Sequence, residues 1–524
     1  MIVRSPLPDL QIPEIDFSTF VLARARRQPE QPVIVEAATG TALTGGELCR
    51  AVDAAAGALA ARGLRPGDAV AVCGFNSAEY AVAAHAVWRA GGVVVTMNPL
   101  FTLREMEQEL ADARPRFLFA APQVLDRVAE AARLTDISEV FGLSGDAEGL
   151  TSLAALVEER RDPPALSVEP ARDTALVLYS SGTTGLPKGV MLTHRNLIAA
   201  LYQLHAGDLA RDTDVLVAIS PFFHVVGLHG ILNLGLYAGA PIVVMGRYDL
   251  HGFLGAIQQH RISSAFLTPP VLNDLARCPD LDRYDLSSLR SILCAAAPLG
   301  PEAEQLAAER LRCVVRQGYG MTEATGPIAT MLVGSEGRRR GSVGQLAPST
   351  EAVIVELATG ERLGAGQTGE ILVRGPQVMA GYLNNPDATA STVEPDGWLH
   401  TGDVGYADAQ GYLYIADRVK EIIKYKAYQV APAELEAVLG THPAVVDAAV
   451  VPSPDDEAGE IPKAFVVLND ATTADQLMAF VAERVAPYKR VRAVEIVEAI
   501  PRSPSGKILR RVLVERERAA HGTP

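Results

Sequence analysis

The chain has 524 residues, of which 48% are hydrophobic and 21% are charged, and its formal net charge is −15. This length is too great for one hydrophobic core, so two or more domains are expected. The acidic balance disfavours a nucleic-acid partner, because a polyanion would be repelled. The five cysteines form no Cys-x-x-Cys pair, so we expect free thiols, no metal cluster and a cytoplasmic location.

Two features of the sequence argue against a membrane location. The N-terminal residues show no charged segment followed by an apolar core, so no signal peptide is expected. The one long stretch without Asp, Glu, Lys or Arg, residues 215–246, contains two prolines and two histidines. A membrane-spanning helix rarely carries these residues together, so we expect this stretch to be buried core that lines a pocket.

Hydrophobic periodicity predicts the secondary structure of the first third of the chain. Helices are predicted over residues 44–63 and 77–89, and buried strands over 69–73, 92–96 and 174–179. Strands that alternate with helices imply parallel sheets covered by helices. The predicted fold class is therefore α/β.

The stretch from Tyr179 to Gly189 has the composition of a phosphate-binding loop. It contains three glycines, two serines, two threonines and one lysine, and it lies between a predicted strand and Thr193, which can cap a helix. It is not a Walker loop, because Pro187 replaces the second glycine and Gly189 replaces the hydroxyl residue. A polar surface loop is the alternative, but the strand–loop–helix setting and the lysine favour nucleotide phosphate. The predicted phosphate contacts are Ser180, Ser181, Gly182, Thr183, Thr184, Gly185 and Lys188.

A second motif, Gln317-Gly-Tyr-Gly-Met-Thr-Glu323, has residues suited to a nucleotide and a metal ion. Its glycines allow close approach of the backbone to a ligand. Tyr319 can lie against adenine, Thr322 can offer a hydroxyl to the α-phosphate, and Glu323 can offer a hard oxygen to Mg²⁺.

Together these motifs resemble those of the adenylate-forming superfamily, which includes acyl-CoA synthetases, luciferases and peptide-synthetase adenylation domains. Within it, the chain is most similar to the branch of 4-coumarate:CoA ligases and medium-chain acyl-CoA ligases. The resemblance covers nearly the whole chain, because further motifs match in order at residues 397–403, 417–424, 425–429 and 501–511.

The resemblance implies a two-domain architecture and a set of cofactors. A large N-terminal adenylation domain of several subdomains, residues 1–417, would be followed by a small mobile α+β domain, residues 418–524, with the hinge at Lys420. The implied cofactors are ATP, Mg²⁺ and coenzyme A. From position alone, the tail from Glu517 onward is expected to be disordered.

The resemblance also assigns nucleotide and metal contacts. Asp403 and Arg418 would bind the ribose, and Glu323 and Thr184 would hold the metal. The remaining implied contacts to AMP are Ala296, Gln317, Gly318, Tyr319, Gly320 and Thr322.

The implied catalytic residues lie mostly in the small domain. Lys507 would enter the large-domain site and neutralise charge as the α-phosphate is attacked. Lys424 and Gln429 would belong to a second face that is used for thioester formation. Ala427 would lie in the CoA tunnel, where relatives mostly have glycine, and this departure keeps a carrier-protein acceptor open as an alternative to CoA.

His224 follows two phenylalanines in the uncharged stretch and is by default a core histidine, but the resemblance places it beside the acyl carboxylate. Val226 stands where many hydroxycinnamate ligases have tyrosine, so a hydrogen bond to a phenol is lost and a less polar acyl group is favoured. Residues 222–228 offer no carboxylate for an amino-acid ammonium group. The implied acyl pocket comprises His224, Val225, Val226, Ala295, Ala297 and Gly320.

The predicted function is that of an ATP-dependent ligase that forms an acyl-AMP and transfers the acyl group to CoA. The substrate is predicted to be an aryl-acrylate such as a cinnamate, or a medium-chain fatty acid. Loading of an acyl carrier protein is the first alternative, and a nonenzymatic acyl or nucleotide sensor is a more distant one. We expect a monomer or a homodimer.

Overall fold

The structure is a computed structural model, and it describes residues 1–145, 149–180, 187–297, 299–331, 339, 341–418, 421–425, 428–455, 458–503 and 506–520. Across these ranges we find no helix that is both long and apolar enough to cross a bilayer.

Strands of the first 418 residues form three sheets. In chain order they are β1 (Ile2–Arg4), β2 (Pro32–Glu36), β3 (Ala42–Thr44), β4 (Ala69–Cys73), β5 (Val93–Met97), β6 (Phe117–Ala120), β7 (Glu139–Gly142), β8 (Thr174–Ser180), β9 (Lys188–Thr193), β10 (Leu216–Ala218), β11 (Ile242–Val244), β12 (Ser264–Leu267), β13 (Ser291–Cys294), β14 (Val314–Met321), β15 (Gly326–Thr330), β16 (Gln345–Leu346), β17 (Glu351–Val355), β18 (Gly369–Arg374), β19 (Gly381–Tyr382), β20 (Leu399–Ala407) and β21 (Leu413–Arg418).

Helices of the same region lie between these strands. They are α1 (Phe17–Arg27), α2 (Gly45–Ala61), α3 (Ala78–Arg89), α4 (Leu103–Ala113), α5 (Leu125–Arg133), α6 (Leu153–Glu158), α7 (His194–Ala206), a π-helix (Val226–Asn233), α8 (Leu234–Ala238), α9 (Leu250–His260), α10 (Pro269–Arg277), α11 (Pro301–Leu311) and α12 (Pro386–Thr392).

Two of the sheets are rich in parallel pairs. One has the order β19-β9-β8-β5-β4-β6-β7, with parallel pairing from β8 to β7, and the other has the order β16-β15-β14-β13-β12-β10-β11-β2-β3, with parallel pairing from β14 to β2. Four of the five residues of β4 and all five of β5 are buried, because helices cover both faces of a parallel sheet. The third sheet, β1-β17-β18-β20-β21, is antiparallel throughout. The α/β prediction is confirmed.

The predicted elements lie close to their expected bounds. The helix predicted over 44–63 is α2, which Thr44 begins with a capping box that includes Glu47. The helix predicted over 77–89 is α3, capped by Ser77. The charge-free stretch 215–246 contains β10, the π-helix, α8 and β11, and most of its side chains are buried.

The phosphate-loop stretch does not have the predicted strand–loop–helix form. β8 and β9 pair antiparallel, with Ser180 opposite Lys188, and the connecting residues 181–186 lie outside the described chain. The reason is that residues 190–193 are largely apolar and pair with the apolar β8 before a helix can begin. Thr193 then caps α7 as predicted, since its hydroxyl accepts a hydrogen bond from the Asn196 N–H at 3.1 Å.

The C-terminal part of the chain forms a separate sheet with its own helices. Its elements are β22 (Ile423–Tyr425), β23 (Tyr428–Val430), α13 (Pro432–Gly440), β24 (Val445–Asp455), β25 (Gly459–Leu468), α14 (Ala474–Ala482), β26 (Ala493–Ile496) and α15 (Arg510–Ala520). The strand order is β23-β22-β25-β24, with β26 parallel to β25. The division predicted between residues 417 and 418 falls one residue before the end of β21 and stays a prediction.

The expected disorder from Glu517 onward is wrong for residues 517–520, which end helix α15. Glu517 is only 1% exposed. Its carboxylate accepts hydrogen bonds from the Ser453 hydroxyl at 3.0 Å and from the Lys463 ammonium at 2.6 Å. Position in the chain could not reveal this, because Lys463 lies 54 residues earlier. Residues 521–524 lie outside the described chain.

Glu517→Gln is expected to lower the free energy of unfolding of the small domain by about 1–3 kcal/mol, because a charge-assisted hydrogen bond to a half-buried ammonium is lost. Urea unfolding followed by circular dichroism measures this. Glu515→Gln is the matched control on the same helix, since Glu515 makes an exposed ion pair with Arg511 and its loss should change stability by less than about 0.5 kcal/mol. Equal effects of the two substitutions would contradict the prediction.

Candidate active site

The base of the β8–β9 hairpin carries two of the predicted phosphate contacts. The Ser180 hydroxyl is buried and has no hydrogen-bond partner among the described residues. Lys188 stands opposite it, and its ammonium lies 4.9 Å from the centre of the Tyr382 ring. A buried hydroxyl without a partner is costly unless a ligand supplies one, so this hairpin fits an anionic ligand. Ser181, Gly182, Thr183, Thr184 and Gly185 lie outside the described chain.

The end of β14 and the start of β15 approach each other closely at Gly320. A Cβ at this position would lie 1.7 Å from the Gly326 carbonyl oxygen, so only glycine fits. Earlier on β14, the Gln317 amide donates to Glu304 at 2.7 Å, and Gly318 packs under Leu293. Both glycines are therefore required by close contacts within the protein, and the predicted approach of this backbone to a ligand stays a prediction.

Asp403 on β20 is the centre of a buried polar cluster. Its side chain is 7% exposed, and it accepts a hydrogen bond from the Tyr319 hydroxyl at 2.5 Å and pairs with the Arg418 Nε at 3.1 Å. Burial raises the pKa of Asp403, and the Arg418 charge opposes that rise. The same burial, together with Asp403, raises the pKa of Tyr319, so Tyr319 keeps its proton and donates it. A carboxylate and a guanidinium held in this way can form hydrogen bonds to two adjacent hydroxyl groups, such as those of a ribose.

Glu323 fits the predicted metal contact. It lies in a short 3₁₀ turn, Thr322–Ala324, and is 8% exposed. Its Oε1 accepts a hydrogen bond from the Tyr382 hydroxyl at 3.0 Å, and no cation within the described ranges lies within ion-pair distance of it. The described residues hold no group of three or more His, Cys, Asp or Glu side chains that could bind a metal. A metal ion here would take its other ligands from phosphate and water, as Mg²⁺ commonly does.

Lys507, from the small domain, reaches this cluster. The preceding Gly506 packs against Thr268, whose Oγ1 would lie 3.1 Å from an added Cβ. Burial and the Arg418 charge lower the pKa of Lys507, whereas Glu323 and Asp403 oppose the shift. The ammonium therefore lies within electrostatic reach of all three side chains.

His224 lies near Lys507 and is neutral at physiological pH. Burial, reinforced by the Lys507 charge, lowers the pKa of His224 to about 3. Its Nδ1 accepts a hydrogen bond from the Val226 N–H at 3.4 Å, which leaves the proton of the neutral ring on Nε2. A neutral donor at this position can bind a carboxylate oxygen without neutralising it.

Apolar groups pack around the start of the π-helix, which follows His224 in the chain. A Cβ at Gly230 would lie 3.8 Å from the Phe266 ring and 4.0 Å from a Val226 methyl, and one at Gly326 would lie 3.8 Å from Val225. The strand-end residues Ala295, Ala296 and Ala297 are partly exposed. Ala296 has a φ of 75°, which is costly for a residue with a Cβ. These groups form a narrow, apolar wall.

The second predicted face of the small domain lies elsewhere. Lys424 is exposed, and its backbone N–H donates to Glu460 at 2.7 Å. It pairs across β22 and β23 with Gln429, whose side chain is outside the described part of the structure. Lys420 and Ala427 are also outside it, so the predicted hinge residue and CoA-tunnel residue stay predictions.

Sequence reasoning missed several residues that support the site. Tyr382 contacts both Glu323 and Lys188, Thr268 receives the Lys507 loop, and Glu304 holds Gln317. For Tyr382 a signal existed, because Gly381-Tyr382 precedes the turn-forming Asn384-Asn-Pro386. Thr268 has no local signal, because its partner comes from the small domain, and Glu304 has none, because its bond to Gln317 forms only when α11 packs beside β14.

Comparison with known proteins agrees with this geometry. Residues 21–383 match the AMP-binding enzyme family and residues 434–507 match the AMP-binding enzyme C-terminal domain, so the chain belongs to the AMP-binding enzyme family. It is 41% identical to 4-coumarate–CoA ligase 5 of Oryza sativa subsp. japonica, with 100% of this chain and 98% of that protein covered.

Two further similarities bear on function. The chain is 40% identical to peroxisomal OPC-8:0-CoA ligase 1 of Arabidopsis thaliana, with 98% of this chain and 95% of that protein covered. Its fold matches ATP-bound MatB from Rhodopseudomonas palustris with a TM-score of 0.88 and 29% identity, over 96% of this chain and 99% of that chain. The cytoplasmic location stays a prediction, because one of these relatives is peroxisomal.

The predicted superfamily and reaction class are confirmed. The chain is an AMP-forming acyl-CoA ligase that uses ATP, Mg²⁺ and coenzyme A. The roles of individual residues, the acyl group and the oligomeric state stay predictions.

Proposed function

We propose that this ligase activates an apolar carboxylic acid at the cluster of Lys507, Glu323, Asp403 and Arg418, and that its two half-reactions use opposite faces of the small domain. The observation that supports this most directly is the position of Lys507, whose loop packs against Thr268 and whose charge interacts with Glu323, Asp403 and Arg418. A partly buried ammonium close to a second cation, Arg418, favours anionic substrates, because their charge offsets the repulsion between the two.

In the first half-reaction a carboxylate oxygen of the acid attacks the α-phosphorus of ATP, and the bond to pyrophosphate breaks. A carboxylate is already nucleophilic, so no general base is needed, and the residues act by positioning and by charge stabilisation. His224 donates from Nε2 to the carboxylate, Asp403 and Arg418 hold the ribose, and Lys507 stabilises the charge on the α-phosphate. Glu323 would hold the Mg²⁺ ion, which when bound would neutralise further charge on the phosphates.

In the second half-reaction the CoA thiol attacks the acyl carbonyl, and AMP leaves with the bonding electrons. We infer that the small domain rotates between the two steps, so that Lys507 leaves the site and the β22–β23 hairpin with Lys424 and Gln429 enters it. The exposure of Lys424 in the present arrangement supports this, because a residue needed only in the second step is free to face solvent in the first.

The proposal is tested by resolving products by mass after incubation with ATP, Mg²⁺ and a panel of carboxylic acids, with and without CoA. Acyl-AMP without CoA and acyl-CoA with it are expected for apolar aryl-acrylates or medium-chain acids. Acyl-AMP that persists despite CoA would contradict CoA as the acceptor.

Lys507→Ala is expected to slow acyl-AMP formation by about 100-fold or more, because a preorganised charge at the transition state is lost, and to leave thioester formation from supplied acyl-AMP almost unchanged. Lys424→Ala is the matched control in the same domain and should show the reverse pattern. Pyrophosphate release and CoA consumption measure the two steps separately. Equal loss of both steps in either variant would refute the two-face division.

The acyl group is proposed to be an apolar one. Val226, Phe266 and Gly230 form a wall without a hydrogen-bond donor, and a polar acyl end would lose its water contacts there. The names of two relatives of nearly equal identity refer to different acyl groups, 4-coumarate and OPC-8:0, so overall similarity does not choose between them.

Val226→Tyr is expected to improve kcat/KM for 4-coumarate relative to cinnamate by about tenfold, because the new hydroxyl can meet the phenol. Val226→Phe is the control, since it adds the same ring without the hydroxyl and should penalise both acids alike. A ratio that shifts equally in both variants would show that ring bulk alone sets the preference.

A further inference from the structure

Tyr382 lies between the two parts of the site that handle phosphate and metal. It is 6% exposed, and its strand β19 pairs with β9, the second strand of the phosphate-loop hairpin. The Leu383 N–H donates to the Gly189 carbonyl at 2.7 Å, and the Met379 N–H donates to the Glu323 carbonyl at 2.9 Å. One short segment is therefore fixed by backbone bonds to the hairpin on one side and to the Glu323 turn on the other.

The side chain of Tyr382 repeats this double contact. Its hydroxyl donates to Glu323 Oε1 at 3.0 Å, and its ring lies 4.9 Å from the Lys188 ammonium. In this hydrogen bond the phenol is the donor and the carboxylate is the acceptor.

We propose that Tyr382 is a positioning residue that presents Glu323 to the metal of Mg·ATP and holds Lys188 in place at the base of the β8–β9 hairpin. This rests on the proposed function of Glu323 as the metal contact. Neither the phosphate-loop motif nor the 317–323 motif includes Tyr382, so the assignment comes from its contacts alone.

The physical basis is the hydrogen-bonding capacity of a carboxylate. Glu323 has two oxygens, and the phenol occupies Oε1, so Oε2 remains for a metal ion. The bond also fixes the Glu323 rotamer before the ligand arrives, so less side-chain freedom is lost on binding. For Lys188, the ring face attracts the ammonium and limits its range of positions.

The test is Tyr382→Phe, which removes the hydroxyl and keeps the ring. Isothermal titration calorimetry gives the Kd for ATP in excess Mg²⁺ and again in excess EDTA. The Kd for Mg·ATP is expected to rise about tenfold, because the carboxylate is no longer held. The Kd for metal-free ATP should change less than about twofold, since Lys188 keeps its ring contact, and the melting temperature without ligand should move by less than about 2 °C.

Two other variants separate the role of the Tyr382 hydroxyl from that of its ring and from the general effect of removing a buried hydroxyl. Tyr248→Phe is the matched control, because the Tyr248 hydroxyl is also buried but has no hydrogen-bond partner among the described residues. It should alter neither Kd. Tyr382→Leu removes the ring as well and should weaken binding of metal-free ATP too.

The outcomes are distinct. A tenfold effect of Tyr382→Phe confined to Mg·ATP supports the assignment. An unchanged Kd for Mg·ATP overturns it, and so does an equal loss with and without Mg²⁺, which would show a purely structural hydroxyl. If the wild-type protein binds Mg·ATP but forms no acyl-AMP with any acid, the proposed function fails while the Tyr382 test remains readable.

Discussion

The site depends on the electrostatic cost of placing Lys507 close to Arg418. The two cations repel each other, and both burial and the Arg418 charge lower the pKa of Lys507. Asp403 and Glu323 offset part of this cost, but Asp403 is already engaged by Arg418 and Tyr319. An anionic ligand would offset the remainder, so nucleotide binding and the docking of the small domain are thermodynamically linked and each favours the other.

The link passes through the segment that joins the two domains. Asp417, one residue before Arg418, accepts a hydrogen bond from the Ala433 N–H at 2.9 Å and so caps α13 of the small domain. Arg510 on α15 donates to Glu421 and Glu436, both at 2.6 Å, and fixes α13 and α15 to the same segment. These bonds hold α13, α15 and the joining segment together as one rigid unit. A rotation that withdraws Lys507 must also carry Lys424, because both belong to that unit.

Much of the fold followed from local patterns, and the exceptions share a cause. Helix α2 and strand β4 were predictable because capping residues and apolar periodicity act within a few residues of chain. The β8–β9 hairpin was misread because a Thr cap was taken to follow the loop directly, whereas residues 188–193 form a strand first. The tail was misread because Glu517 owes its order to Lys463, a partner that local sequence cannot show.

The residues of the candidate site also fall into two groups, those that sequence motifs predict and those that only the folded structure reveals. Asp403, Arg418, Glu323 and Lys507 could be predicted because each lies in a motif whose resemblance carries a role, and the structure brings them together. Tyr382 and Thr268 act through geometry alone. Their contacts exist only once β19 has paired with β9 and the small domain has docked, so local sequence can show the turn after Tyr382 but not the partners of either residue.

The region proposed to line the acyl pocket has a backbone with little freedom to vary. A Cβ at Gly227 would lie 2.1 Å from the Pro221 carbonyl oxygen, so the start of the π-helix accepts only glycine at this position. The His224 N–H donates to that same carbonyl at 3.0 Å, which fixes the histidine next to the pocket. With the backbone held in this way, changes in acyl preference must come from side chains that project from it. Val226 is such a side chain, since it lies in the π-helix and is only partly buried.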